Sequence, residues 1–396
     1  MPKNIYLLSI VMACGYAITS MMVLLSGIIG AKIAPSPQFA TLPMSAMVIG
    51  GAVAAIPAAM LMQRVGRIAG LAFGIIISLG GVALAFYASL QANFWLFLVA
   101  SFLIGLNAAF IQQCRFVIIE NANNDKQVAD GLSLALMANL FAAYIGPEIG
   151  SLGEGLIGTG FSGSFALSAG MLVLGLVILM LCKNISPNIN TNKANSTRPL
   201  SAFLKHPVFI LAAGSGAIGY GVMALVMTAT PISMHEIDGH SIEQTKTVIQ
   251  THIMAMFLPS LLTGALLKRG FKIRLIMAGL VIYLIVTGIA FSGVSVMHYW
   301  WALLLLGLGW NFMFMTSTAL LQQSYTEEQK FKAQAANDFI IFSAQTIAAF
   351  AAGWLLFNYQ WNGVLWIALS ITVIWALVVA YLASRQVKSA VKLERD

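Results

Sequence analysis

Two pairs of soft ligand side chains lie four residues apart in consecutive apolar stretches of the chain. Met223 and Met227 form the first pair, and His252 and Met256 form the second. Residues at i and i+4 share one helix face, so each pair can present its side chains together. Thioether sulfur and neutral imidazole suit Cu(I) and are poor ligands for Mg²⁺ or Ca²⁺. The spacing indicates either a soft metal site or methionine that fills gaps in a packed core.

The composition predicts that these pairs lie in a membrane. Of 396 residues, 59% are hydrophobic and only 9% are charged, whereas a soluble chain carries about 25% charged residues. The apolar stretches are around 20 residues long, which favours helices over the short alternating strands of a barrel. Twelve such stretches predict an all-α membrane protein. They are residues 5–30, 39–62, 69–90, 94–118, 129–157, 163–182, 207–230, 247–267, 273–292, 297–320, 334–356 and 362–384.

The distribution of positive charge predicts the orientation. With the N-terminus in the cytoplasm, 18 of the 21 Lys and Arg fall on the cytoplasmic side, and Lys32 and Lys246 fall in outer loops. We therefore expect a multi-pass inner-membrane protein with both termini in the cytoplasm. The net charge of +8 then reflects topology, and no nucleic-acid partner is expected. The partners that we expect are the lipid bilayer and a small-molecule or metal-ion substrate, bound by a monomer.

The depth of the two pairs is compatible with a shared site. At 1.5 Å rise per residue, all four side chains fall in the outer third to half of the bilayer. A chain with 20 methionines is expected to contain one Met-x-x-x-Met by chance, so the matching depth and the buried imidazole carry the argument. Met234, His235 and His240 follow in the outer loop. They either collect a metal or belong to an ordinary loop.

A polar linker divides the chain into two halves that resemble each other. The predicted organisation is a six-helix bundle at 1–182, a cytoplasmic linker at 183–204, a second six-helix bundle at 205–384 and a cytoplasmic tail at 385–396. "LMQRVGRIAGLAFG" follows the second stretch and "LLKRGFKIRLIMAG" follows the eighth. "AFIQQCRF" and "ALLQQSYT" end the fourth and tenth. Matches at a six-helix offset indicate parallel repeats, that is, two pseudo-symmetric bundles.

These features resemble the major facilitator superfamily along nearly the whole chain. "QRVGR" at 63–67 keeps Arg64, Gly66 and Arg67 of the loop signature Gly-x-x-x-Asp-Arg-x-Gly-Arg, with Gln63 in place of an acid. "GPEIG" at 146–150 is similar to the break in the fifth helix of that family. The resemblance implies a secondary transporter that works by alternating access, with a substrate path between the halves.

A closer resemblance leaves the substrate open. "MALVM" followed by "HIMAM" and "FLPSLLTG" is similar to the CcoA-like copper importers, and implies Met223, Met227, His252 and Met256 as copper ligands. "IPAAMLMQRVGR" and the "IQ-x-H" of the eighth stretch are similar to the RfnT-like riboflavin transporters of the same branch. Copper uptake is our first hypothesis, with copper as substrate and no cofactor. Riboflavin uptake is the alternative, and drug or metabolite efflux is a third.

Polar groups within the apolar stretches are candidate pathway residues, because lipid disfavours them. Amides and one indole on the fourth and tenth stretches either contact substrate or join helices by hydrogen bonds. These are Asn107, Gln112, Gln113, Trp310, Asn311 and Gln322. Charged groups are candidates for proton coupling or gating. These are Arg64, Arg67, Arg115, Asp130, Glu148 and Asp338. The alternatives are loop anchors near the cytoplasmic ends and, for Glu148, a structural bond to a backbone amide freed by the Gly-Pro pair. No nucleotide-binding loop occurs, so we expect neither ATP-driven transport nor enzyme activity.

Overall fold

The computed structural model describes residues 2–114, 117–118, 125–158, 160–182, 203, 206–326 and 329–393. These residues are almost entirely helical and form no strand, which confirms the predicted all-α class. The predicted linker at 183–204 lies, apart from residue 203, outside the described residues, and so does Arg115. The chain divides into two compact units, which are described in turn.

The first unit comprises Met1–Thr191 and Thr228–Met254. It therefore combines the N-terminal half of the chain with a helical hairpin from the C-terminal half. Its N-terminal helices are α1 (Lys3–Ile33), α2 (Leu42–Val65), α3 (Arg67–Leu90), α4 (Phe94–Gln112), α5 (Asp125–Leu152) and α6 (Ser162–Met180), with a 3₁₀ turn at Pro37–Phe39. The hairpin contains the end of α7 (Pro207–Pro231), a π-helical turn at Ile232–Ile237 and most of α8 (Ile242–Phe257).

The second unit comprises Asn192–Met227 and Ala255–Asp396. Its helices are α7 (Pro207–Pro231) up to Met227, the end of α8 (Ile242–Phe257), α9 (Ser260–Lys268), α10 (Lys272–Ser292), α11 (Val296–Leu321) and α12 (Lys330–Leu393). Helix α12 contains one residue with non-helical dihedrals, Gln360, at φ 59° and ψ −172°. This kink falls in the gap between the predicted eleventh and twelfth spans.

The helices account for the predicted number of spans. Ten helical segments of the described chain are long and apolar enough to cross a membrane. One of these, Ala336–Leu382, has 47 residues. At 1.5 Å per residue this is about twice the thickness of a bilayer core, so the kink at Gln360 separates two spans. With this segment counted twice and the 28-residue α5 included, the described chain provides twelve spans.

Glycine shapes the turn that carries the loop signature. Gly66 has φ +92° and both ends α2 and begins α3, and its N–H donates to the carbonyl of Met62 at 3.1 Å. Positive φ costs a side-chain-bearing residue conformational energy that glycine does not pay. The backbone conformation of this turn therefore explains why "QRVGR" contains a glycine, independently of the neighbouring arginines.

Candidate functional site

An aromatic cluster lies in the second unit, where α7, the end of α8 and α11 meet. Trp310 and Phe314 stack with ring centroids 4.9 Å apart and planes 14° apart, because they lie four residues apart on one face of α11. The ring of Tyr220 meets both edge-on, at 5.0 Å from Trp310 and 5.1 Å from Phe314. Phe257 contacts Trp310 at 6.0 Å. Trp310 is buried, whereas Tyr220, Phe257 and Phe314 are only half-buried.

A second tyrosine, Tyr283, bonds to the backbone of α7 next to the cluster. The hydroxyl of fully buried Tyr283 on α10 donates to the carbonyl of Gly219 at 2.8 Å, one residue before Tyr220. A methyl group on Gly309 would lie 2.7 Å from the Tyr283 ring, so only glycine at this position lets α10 and α11 approach. Tyr283 thus joins α10 to α7 by this hydrogen bond and packs against α11 at Gly309, beside the contact of Tyr220 with Trp310.

The two asparagines predicted to contact substrate have different surroundings. Asn107 on α4, in the first unit, is 2% exposed, and its Oδ1 accepts no hydrogen bond from the described part of the chain. Asn311 on α11, in the second unit, is 1% exposed and makes three hydrogen bonds to residues 256, 260 and 263. Because a buried polar atom without a partner costs about 1–3 kcal/mol, Asn107 is the better candidate ligand.

The remaining amides of the predicted substrate set are more accessible. Gln112 and Gln322 are exposed at the ends of α4 and α11, and Gln113 is half-buried. The indole Nε1 of Trp310, by contrast, is buried and has no hydrogen-bond partner among the described residues. Of this set, Trp310 and Asn107 therefore keep a buried polar atom with unused hydrogen-bonding capacity.

A charged cluster lies in the first unit, between α5 and the first turns of α8. Lys246 Nζ lies 3.0 Å from Glu148 Oε2, and Glu243 also pairs with Lys246. Gln250 Nε2 donates to Glu148 Oε1 at 3.2 Å and to the carbonyl of Tyr144 at 2.9 Å. The carboxylate of Glu148 thus accepts hydrogen bonds from the ammonium of Lys246 and from the amide of Gln250. This arrangement can hold α5 to α8 for as long as the ion pair persists.

The Gly-Pro pair of "GPEIG" places Glu148 in this cluster. A methyl group at Gly146 would collide with the backbone carbonyl of Ala17, so glycine allows α5 to cross α1 closely. Pro147 has no N–H and interrupts the backbone bonding of α5 one residue before the carboxylate.

The other predicted gating residues lie towards the ends of helices. Arg64 is exposed in the last turn of α2, and Arg67 is half-buried at the start of α3. Asp130 on α5 and Asp338 on α12 are both exposed. Of the described members of this set, Glu148 and Arg67 are half-buried and the others are exposed.

The predicted copper ligands are all buried. Met223, Met227 and Met256 are 2%, 6% and 8% exposed and belong to the second unit. His252, with no exposed surface, belongs to the first. Among the described residues, no three His, Cys, Asp or Glu side chains are grouped as a metal site. Burial alone is equally compatible with the packing role that methionine has in cores.

The outer loop residues form part of an ordered turn. Met234 is fully buried in the π-helical segment, and His235 Nδ1 donates to the carbonyl of His240 at 2.9 Å. The three cysteines, Cys14, Cys114 and Cys182, are buried and free.

Sequence reasoning missed several members of these sites. It placed Lys246 in an outer loop, whereas α8 begins at Ile242 and buries this lysine to 7% exposure. The i, i+4 relationship of Trp310 and Phe314 was a usable signal for the stacked pair. Pro259 was a usable signal for the break between α8 and α9.

Comparison with known proteins gives concordant matches along the chain. The family model described as Major Facilitator Superfamily matches residues 5–348. The riboflavin transporter RfnT of Brucella anthropi is 34% identical over 371 residues, which cover 93% of each chain. The uncharacterized MFS-type transporter YdeG of Bacillus subtilis is 30% identical over 356 residues, covering 86% of this chain and 82% of that one.

Solved structures resemble the chain in fold alone. The POT family transporter PepTSo superimposes with a TM-score of 0.74, covering 97% of this chain and 98% of that one at 11% identity. An auto-inhibited POT family peptide transporter gives a TM-score of 0.70 with 97% of each chain covered, also at 11% identity. Both similarities concern the helical architecture, because identity at this level carries no information on substrate.

Proposed function

Because the chain belongs to the major facilitator superfamily, we propose that it is a secondary transporter that takes up riboflavin, or a closely related flat heterocycle, by alternating access. We place it in the cytoplasmic membrane with both termini in the cytoplasm, following the distribution of Lys and Arg. The observation that carries the substrate assignment is the 34% identity to a riboflavin transporter over 93% of both chains.

The aromatic cluster suits such a substrate. Riboflavin carries a flat three-ring system that can stack on Trp310, Phe314 or Tyr220, and stacking of a flat heterocycle on an aromatic side chain contributes about 1–3 kcal/mol. The ring system also carries carbonyl oxygens and a ring N–H. The buried Trp310 N–H, which has no partner among the described residues, is a donor that such a carbonyl oxygen can accept from.

The copper hypothesis is the weaker one. The relatives do not support copper uptake, because RfnT, which is 34% identical to this chain, is a riboflavin transporter. The Met/His spacing that motivated the copper hypothesis is explained equally well by buried side chains that fill a core. We therefore give riboflavin precedence and keep copper as the comparison in the experiments below.

We assign gating to the charged cluster around Glu148. Its ion pair joins helices that are far apart in sequence, so breaking it would weaken the attachment of the hairpin Thr228–Met254 to α5. This assignment follows from burial and geometry, and it leaves the aromatic cluster as the proposed place of substrate contact.

Growth of a riboflavin auxotroph lacking its own transporter tests the proposal. Cells that express the protein should grow at riboflavin concentrations too low for cells with an empty vector. The Trp310→Ala variant, present in the membrane at equal amount, should require at least several-fold more riboflavin. Failure of the membrane-inserted wild type to support growth would overturn the proposed function.

A further inference from the structure

The eighth span is interrupted in its second half. Helix α8 ends at Phe257 and α9 begins at Ser260, with Pro259 between them. Proline removes one backbone donor, and a helix end leaves carbonyl groups without intrahelical partners. In a membrane no water compensates for such groups, so the protein must supply partners itself.

Asn311 of α11 supplies them. Its Nδ2 donates to the carbonyl of Met256 at 2.7 Å and to Ser260 Oγ at 2.9 Å, and Thr263 Oγ1 donates to its Oδ1 at 2.6 Å. Asn311 therefore bonds to both sides of the break. An Asn side chain has two N–H donors, and both are used here. No donor remains for a substrate in this arrangement.

The same two segments also meet through their aromatic neighbours. Trp310 precedes Asn311 on α11, and Phe257 follows Met256 at the end of α8. The rings of Trp310 and Phe257 contact each other edge-on at 6.0 Å, beside the hydrogen bond from Asn311 to Met256. The amide contact therefore fixes where the last residue of α8 lies relative to Trp310.

We propose that Asn311 is a positioning residue, which holds the break between α8 and α9 and thereby sets Phe257 against Trp310. It acts on the substrate through Phe257 and does not touch it. This inference rests on the proposed function for the identity of the substrate, and it replaces the expectation that Asn311 binds substrate directly. Asn107, whose Oδ1 has no partner among the described residues, keeps that expectation.

A double-mutant cycle in uptake measurements tests this role, because residues that act through one another are not additive. Asn311→Ala should raise the KM for riboflavin about tenfold with a maximal rate within about twofold of wild type per molecule in the membrane. In a Phe257→Ala background, the same substitution should change KM less than about twofold. Equal shifts in both backgrounds would mean that Asn311 contacts substrate directly and would overturn the proposal. If KM is unchanged and less protein reaches the membrane, Asn311 is a purely structural residue. That result would also overturn the proposal.

Milder and matched variants keep the test decisive if Asn311→Ala fails to fold. Thr263→Val and Ser260→Ala each remove one bond to Asn311 and should raise KM in the same direction by a smaller factor. Asn358→Ala removes an amide-to-carbonyl bond of the same 2.7 Å length, to Trp354 within α12, and should leave KM unchanged. A KM shift in Asn358→Ala equal to that of Asn311→Ala would contradict the assignment.

Hydrogen exchange separates this inference from the proposed function. In the purified protein without substrate, Asn311→Ala or Thr263→Val should speed amide exchange across residues 255–263 several-fold. If exchange accelerates and the wild type transports no riboflavin, the proposed function is wrong, but Asn311 still holds the break between α8 and α9. If exchange in this segment is unchanged, the positioning role is wrong whatever the substrate.

Discussion

Lys246 Nζ lies 3.0 Å from Glu148 Oε2, although 98 residues separate the two in sequence. The lysine side chain is 9% exposed and the glutamate side chain 22%. Both side chains are largely shielded from water, so the carboxylate is compensated by Lys246 and Gln250, and the ammonium by Glu148 and Glu243. The pair therefore attaches the hairpin Thr228–Met254 to α5 within the first unit.

Removing one charge of this pair should destabilise the protein more than removing both. Lys246→Met alone leaves the Glu148 carboxylate without its cation, and the loss should fall below the roughly 3–5 kcal/mol of a fully buried pair because this pair is part-buried. The double variant with Glu148→Gln removes the uncompensated carboxylate of Glu148 and should recover most of the loss, because Glu243, which also loses Lys246, is 63% exposed and hydrated. Thermal unfolding in detergent measures this, and a double variant less stable than Lys246→Met would contradict the interpretation.

The ion pair between Lys32 and Glu236 provides a matched control in the same unit. Its atoms lie 3.5 Å apart, and the side chains are 45% and 25% exposed. Exposed pairs contribute about 0–1 kcal/mol, so Lys32→Met should lower the melting temperature far less than Lys246→Met. Equal effects would show that burial does not determine the strength of the Glu148 pair.

Trp310 should control the affinity for riboflavin through its stacking surface. Trp310→Ala removes that surface and should raise KM roughly 5- to 150-fold, the equivalent of 1–3 kcal/mol. Trp310→Phe keeps a ring and should raise KM less. Initial rates of labelled riboflavin uptake measure both. Trp361→Ala is the control, because this tryptophan is also buried and contacts Tyr299 at 5.1 Å outside the cluster. A larger KM shift for Trp361→Ala than for Trp310→Ala would refute the placement of the substrate.

The methionines of α7 should prove to be packing residues. Met223→Leu with Met227→Leu preserves volume and apolar character while removing both sulfurs, so it should cost under about 1.5 kcal/mol per site. Riboflavin uptake should be unchanged, and cellular copper should match that of cells with an empty vector for wild type and variant alike. Copper accumulation by the wild type that is lost in this variant would restore the copper hypothesis.

Gly146 should tolerate no larger residue, because α5 crosses the backbone of α1 there. A methyl group would meet the carbonyl of Ala17, and overpacking of this kind costs about 1–3 kcal/mol. Gly150, one turn later, would place a methyl group 3.4 Å from the side chains of Leu24, Leu25 and Met21, an ordinary contact distance. Gly146→Ala should therefore lower the melting temperature well below that of Gly150→Ala. Equal stability of the two variants would show that the crossing can relax.

The helical architecture can be predicted from the sequence, because each span requires about 20 consecutive apolar residues and these can be counted directly. The sequence could not predict the partners of polar side chains, since these depend on tertiary contacts. The sequence pattern predicts Lys246 in a loop because a charge in a span is costly, and the compensating Glu148 is about a hundred residues away. Asn107 and Asn311 are both amides within apolar stretches, and the sequence does not tell them apart. In the structure, Asn311 bonds to both sides of the break beside Pro259.

Some expectations remain predictions. The four proposed copper ligands are divided between the two compact units. The orientation in the membrane and the linker at 183–204 rest on charge distribution and composition.

Uptake by proteoliposomes that contain only the purified protein tests the central claim most directly. Vesicles preloaded with unlabelled riboflavin should accumulate labelled riboflavin by exchange, faster than protein-free vesicles and at least about fivefold faster than vesicles with Trp310→Ala at limiting substrate. Labelled copper offered to the same vesicles should enter no faster than into protein-free vesicles. Protein-dependent entry of copper without exchange of riboflavin would contradict the account.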